Sequence, residues 1–196
     1  KDNVFSPVTL DNVTGTGIDV PGDENNFTDI TIKDSELEPA IRVEGNDNVF
    51  NPVMLDNVTG TGIDVPGDEN NFTDVTIKDS ELEPAINVDG KDNVFSPVTL
   101  DNVTGTGIRV GEDATGTNLT DITSQGGNGT VLDIQGKGTT VEDVFIGNQT
   151  GGPAINVPGD ENNFTDITIK DSNVEPAIKV EGRDNVFNPV MLDNVT

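Results

Sequence analysis

Apolar residues recur along this chain in short bursts with a period of two, and the bursts themselves repeat. Ile18, Ile41, Ile63, Ile86, Ile108, Leu132, Ile155 and Ile178 lie 23, 22, 23, 22, 24, 23 and 23 residues apart. Most of them open the same pattern: I-x-V, then N-x-F, then V/I-x-L/I, then a polar turn. Alternation of period two marks half-buried strands rather than helices. Ile18 and Val20 face one way and Asp19 the other; Asn25 and Phe27 share a face; Ile30 and Ile32 point in and Thr31 out. Three strands in ~23 residues, in the same register unit after unit, do not close as hairpins. Stacking each strand on its copy one unit later makes three parallel sheets around a narrow core, which is a β-solenoid. The pattern therefore predicts an all-β fold of eight to nine coils running continuously over residues 1–196.

Proline supports the assignment independently, because it donates no ladder hydrogen bond and is excluded from central strands. Pro21, Pro66 and Pro158 follow the first strand, and Pro7, Pro52, Pro97 and Pro189 precede the third. Pro39, Pro84, Pro153 and Pro176 precede the next unit, so no proline falls inside an I-x-V or V-x-L alternation. A longer period lies over the short one. Residues 1–18 recur unchanged at 91–108, and residues 17–41 recur at 62–86 with Val75 in place of Ile30. This sets a 45-residue repeat, to be read before any other feature.

The A-I-x-V-x-G and N-x-F motifs, with Asp or Asn after the third strand (Asp34, Asn57, Asp79, Asn102, Asn148, Asp171, Asn194), resemble the right-handed parallel β-helix repeat family of pectate-lyase-like and NosD-like coils. The resemblance covers essentially the whole chain and implies right-handed winding. It implies a fold more than a function, because this fold hosts lyases, epimerases, adhesins and viral spikes.

Composition narrows the function classes. The 196 residues carry 36 acidic and 10 basic side chains, for a formal net charge of −26. Nucleic acid is excluded as a partner, since phosphate contacts need clustered Lys and Arg. No apolar run approaches the ~20 residues of a membrane span, so direct membrane insertion is not expected. Cys and His are absent, which closes the usual zinc, haem and thiol chemistries and the His-based triads. The acidic, Lys-poor, His-free composition looks like that of surface proteins of halophilic archaea.

Several stacked columns are candidates for chemistry. Asn25, Asn48, Asn70, Asn93, Asn162 and Asn185 form an inward column, read as an asparagine ladder that breaks at Thr117 and Thr139. Phe5, Phe27, Phe50, Phe72, Phe95, Phe164 and Phe187 share one core position. Phe145 aligns instead with the outward Thr31, as do Met54 and Met191, and these three are candidates for a lateral contact. The outward I-x-V column contains Asp64, Arg109 and Asp133. It is read as a ladder pairing Asp19–Arg42–Asp64 and Arg109–Asp133. The catalytic alternative follows from the resemblance, since polysaccharide lyases of this fold use outward acidic residues with an Arg or Lys base, often with calcium. Glu24, Asp47, Glu69 and Asp92 stack at the first corner. Such a column needs screening, diffuse cations or calcium to offset its repulsion; at 1 M salt the Debye length is about 3 Å. No dedicated cofactor is expected beyond such cations. Asn-x-Thr sequons stand at Asn12, Asn26, Asn57, Asn71, Asn102, Asn118, Asn128, Asn148, Asn163 and Asn194 and are glycosylation candidates.

Coils 109–153 depart from the consensus, with two extra residues in GEDATGTNL and glycine-rich SQGGNGT and GKGTT. Insertions in a solenoid fall on one face, often the functional one. The sequence begins and ends inside a coil, so a segment of a longer array or a unit stacking end to end is expected. The functional expectation is a structural, non-catalytic extracellular stalk, fibre or surface-layer element, acidic and N-glycosylated. Its partners would be copies of itself, joined end to end or laterally, and cell-surface glycans or cations. The alternatives are an adhesin or viral fibre module using Phe145 and the divergent coils, and a β-helix polysaccharide lyase or epimerase.

Overall fold

The computed structural model of the chain describes residues 2–196, which form strands and turns with no helix. They wind into a parallel β-solenoid of about eight turns. The I-x-V segments, from Ile18–Val20 through Ile41–Val43 to Ile178–Val180, make one eight-stranded parallel sheet. Its strands stack in sequence order, each joined to the next by a crossover that passes through the other ladders. The N-x-F and V-x-L segments stack in the same way. Phe27 aligns with Phe50 and Ile30 with Val53; Phe50 aligns with Phe72 and Val53 with Val75. Levels are numbered here by the N-x-F position, from level 1 at Phe5 to level 9 at Phe187.

A fourth ladder, two residues wide, adds to the three read from the alternation. Thr14–Gly15 pairs with Glu36–Leu37, which pairs with Thr59–Gly60 and, through it, with Glu81–Leu82. Its inward position alternates Gly and Leu. Leu37 and Leu82 are fully buried and fill the space that the glycines of neighbouring levels leave open. Gly60 shows how close that approach is: its φ is +102°, and a Cβ there would be driven into the Leu37 carbonyl oxygen. In three levels the second, third and fourth ladders run on as single strands, Asn26–Leu37, Val49–Gly60 and Asn118–Asn128.

Bends in those strands are made by residues in the left-handed region. The corner before N-x-F uses Glu24, Asp47, Glu69, Asp92, Glu161 and Asp184 at φ 54–57°, with Gly116 and Gly138 in the divergent levels. The corner between the second and third ladders uses Asp29, Asp74, Asp121, Asp143 and Asp166 at φ 51–54°. In the other levels it holds a cis peptide to Pro7, Pro52, Pro97 or Pro189. The corner after V-x-L uses Asn12, Asp34, Asn57, Asp79, Asn102, Asn148, Asp171 and Asn194 at φ 48–55°. Short polar side chains tolerate this conformation best after glycine, which explains the Asp and Asn at two of the three corners.

Inside, the core is a set of columns. Successive Phe5, Phe27, Phe50, Phe72 and Phe95 rings stack 4.5–4.8 Å apart and within 9° of parallel. Leu119 and Val141 then take the position, and Phe164–Phe187 resumes it at 4.3 Å.

Candidate functional site

With the interior filled, the chemistry this chain offers lies in its polar ladders and lateral columns. The expected asparagine ladder is present. Asn48 Oδ1 accepts from Asn25 N at 2.8 Å and from Asn25 Nδ2 at 3.0 Å. Asn70 Oδ1 serves Asn48 in the same way at 2.9 and 3.1 Å, and Asn93 Oδ1 accepts from Asn70 N at 2.8 Å. Side-chain amides also donate to corner carbonyls, Asn70 to Gly45 at 3.0 Å and Asn93 to Gly67 at 2.9 Å. The break falls where it was expected: Thr117 Oγ1 and Thr139 Oγ1 are buried without a hydrogen-bond partner.

A second buried ladder was not anticipated. Ser35 Oγ accepts from Val13 N at 3.0 Å and donates to Lys33 O at 2.7 Å. Ser80 repeats this with Val58 N and Lys78 O, and Ser172 with Gln149 N and Lys170 O. Each serine satisfies a backbone donor of the preceding level at the third corner.

The outward I-x-V strip carries two separate polar runs, one about Asp64 and one about Asp133. Among the described residues Arg42 does not form the expected pair with Asp19 and instead reaches Glu44 at 2.9 Å. Asp64 lies 3.7 Å from Arg42 Nε and accepts from Asn87 Nδ2 at 2.9 Å. Asp133 accepts from Asn156 Nδ2 at 2.8 Å and from Gln135 Nε2 at 2.7 Å. Arg109 does not form the direct pair with Asp133 expected of it; its Nη2 donates to Gln135 Oε1 at 3.3 Å, so Gln135 bridges the two. Asn87 separates Asp64 from Arg109 along the column. A shallow groove of about 360 Å³ runs beside Asp19, Arg42 and Asp64.

At the first corner, Glu24, Asp47, Glu69 and Asp92 occupy the left-handed turn position. The residues just before them act as acceptors: Asp23 Oδ1 takes Asn46 N at 2.9 Å, and Asp68 Oδ1 takes Lys91 N at 2.7 Å. Lys137 pairs with Glu161 at 2.8 Å, and that hydrogen bond raises the lysine above its ordinary pKa of 10.5. Among the described residues no three of His, Cys, Asp or Glu converge as a metal-holding group. A second acidic feature, a groove of about 420 Å³, was missed in the sequence. Glu36, Glu38, Glu81 and Glu83 line it over Gly60 and Gly105. Its signal was the 45-residue alternation of E-L-E with T-G-T.

The sequons divide into two columns and one outlier. Asn26, Asn71 and Asn163 are exposed on the N-x-F strand, and Asn118 in the same column is partly covered. Asn12, Asn57, Asn102, Asn148 and Asn194 are exposed at the third corner. There Asn57 Nδ2 donates to Asp34 at 2.7 Å, Asn102 to Asp79 at 2.9 Å and Asn194 to Asp171 at 2.8 Å. Asn128 lies on the fourth ladder, paired with Thr104 and Thr150. Met54, Phe145 and Met191 do share the outward Thr31 column and are 39%, 36% and 59% exposed. Threonines separate them, three between Met54 and Phe145 and one between Phe145 and Met191.

These columns define a parallel β-helix repeat protein, a solenoid carrying polar ladders inside and charge on its outer faces. No family model matches the chain, and no curated protein matches it significantly in sequence.

Proposed function

We propose that this chain is a structural, non-catalytic element of a surface-exposed stalk, fibre or surface layer, bearing an acidic coat suited to a salt-rich medium. The observation that carries the reading is continuity: the same core position is stacked from Phe5 to Phe187, and buried polar ladders lie alongside it. A rod built this way has its length set by coil number, at about 4.8 Å per coil. Its net charge of −26 favours solubility over non-specific association. The exposed sequon columns would carry glycans on two faces. Immunogold labelling of intact source cells, with peptide mapping of the native chain, tests this. Surface label with hexose-modified Asn-x-Thr peptides supports it; a chain confined to the soluble cell interior refutes it.

A binding module is the second reading, favoured by Phe145, a large apolar side chain 36% exposed in the divergent levels. Replacing residues 111–131 with a consensus coil, together with Phe145→Ala, would then abolish adhesion to the cognate surface. Unchanged adhesion removes this alternative.

A further inference from the structure

The structural period of this solenoid is two coils. Along the outer column after V-x-L, Asp11, Lys33, Asp56, Lys78 and Asp101 alternate in sign. Lys33 pairs with Asp11 at 3.4 Å, Lys78 with Asp56 at 3.1 Å and Lys170 with Asp193 at 3.7 Å. The corner beside it alternates Asn and Asp, with each Asn amide on the Asp of the preceding level. The next position alternates Val and Ser, and each Ser hydroxyl accepts from the backbone of the preceding level. On the fourth ladder Thr alternates with Glu, and Thr106 donates to Glu83 at 2.9 Å. Odd and even levels are thus different, complementary surfaces. Parity is kept through the divergent coils, where Gln125 and Gly147 take the charged positions between Asp101 and Lys170. Those two levels lose the charges without shifting the count.

We infer that each coil edge is a recognition surface that accepts only a coil of the opposite type, so that the array gains or loses coils in pairs. An odd level on an odd one faces Asp with Asp and leaves the Val amide without its serine acceptor. An even level on an even one faces Lys33 with Lys78, Asp34 with Asp79, Glu36 with Glu81 and Glu38 with Glu83. Like charges directly opposite at sheet spacing are destabilising. The I-x-V, N-x-F and V-x-L cores are the same in both types, so those three ladders would accept either neighbour. The alternating outer columns, and the fourth ladder's inward position where Leu82 would stand in place of Gly60 against the Leu37 carbonyl, supply the discrimination.

Two deletions with one shared junction test this. Removing Asp23–Gly67 takes out a coil pair and places level 1 on level 4, odd on even. Removing Asn46–Gly67 takes out one coil and places level 2 on level 4, even on even. Both restore a G-D-E-N-N-F corner. A solenoid whose stability simply sums over repeats would favour the shorter deletion, which keeps one more coil. Opposite-type recognition predicts the reverse order, with the single-coil deletion melting about 5–10 °C below the pair deletion. It also predicts that 1 M NaCl narrows the gap. Because the single-coil variant can fail to fold, a third variant adds Lys78→Gln, Asp79→Gly, Glu81→Asn, Leu82→Gly and Glu83→Thr, the residues that level 6 carries at these positions. Recovery of solubility and melting temperature by that graft supports the inference. A single-coil deletion that melts level with or above the pair deletion overturns it, as does a graft that rescues nothing.

Discussion

Asn70→Ala removes one rung from the interior of the asparagine ladder, and the structure sets the cost. Asn70 is fully buried, as is Asn48 below it. Truncation takes away the acceptor shared by Asn48 N and Asn48 Nδ2 and the donor that reaches Gly45 O. Three buried polar groups are left without partners. Each costs roughly 1–3 kcal/mol when water cannot replace the lost bond, and the three are neighbours whose losses overlap. A total near 4 kcal/mol is expected. Asn71→Ala, one residue along and exposed, should stay within about 0.5 kcal/mol of the parent. Urea unfolding followed by far-UV circular dichroism reads both changes on one scale. A loss below about 1 kcal/mol for Asn70→Ala would refute the reasoning, because it would mean that the ladder is decoration on a core held by its apolar columns.

Phe72 sits between two rings at 4.5 and 4.6 Å, so Phe72→Ala should cost about 3–5 kcal/mol. Phe72→Leu, which copies Leu119 in the same column, should cost under about 1.5 kcal/mol; differential scanning calorimetry ranks the two. Gly60→Ala should abolish stable folding of the neighbouring levels, because its Cβ has no space beside Leu37. Gly15→Ala, with open space around the same position, should cost only the roughly 1–2 kcal/mol of a left-handed alanine; solubility and melting temperature separate the pair. Lys137 has its pKa raised by Glu161, so its contribution is complete below the ordinary lysine value and fades as pH rises through the elevated one. Glu161→Gln should therefore bring the lysine back toward 10.5 in an NMR titration; an unmoved pKa would assign the shift to another group.

What the sequence disclosed and what it concealed differ by period. The phenylalanine stack and asparagine ladder each place one residue type at the same point of every consensus coil, so both were legible, as was the break of the asparagine ladder at Thr117 and Thr139. The serine ladder, the Leu/Gly filling and the Asp/Lys column repeat only every second coil. In a single-coil alignment Ser35 against Val58, or Leu37 against Gly60, reads as substitution noise, and only hydrogen bonds to the adjacent level reveal it as pairing. The acidic corner was visible as charge, whereas its reason is backbone geometry: Glu24 and Asp47 sit at positive φ. Arg109 was paired with its nearest neighbour in the column, Asp133. The structure routes it through Gln135, two positions further along, because that side chain fits between guanidinium and carboxylate.

The backbone hydrogen bonds of the β-ladders run along the solenoid axis, from one coil to the next. A pull applied along that axis loads them a ring at a time, as a zipper is loaded, while bending or crushing must deform every column at once. Each coil that peels away trades about 4.8 Å of rod for roughly 75 Å of extended chain, some fifteen times its former length. Under tension such a rod yields in steps and absorbs energy by lengthening. The levels at Thr117 and Thr139, where both the aromatic stack and the amide ladder lapse, are where the first step would be released.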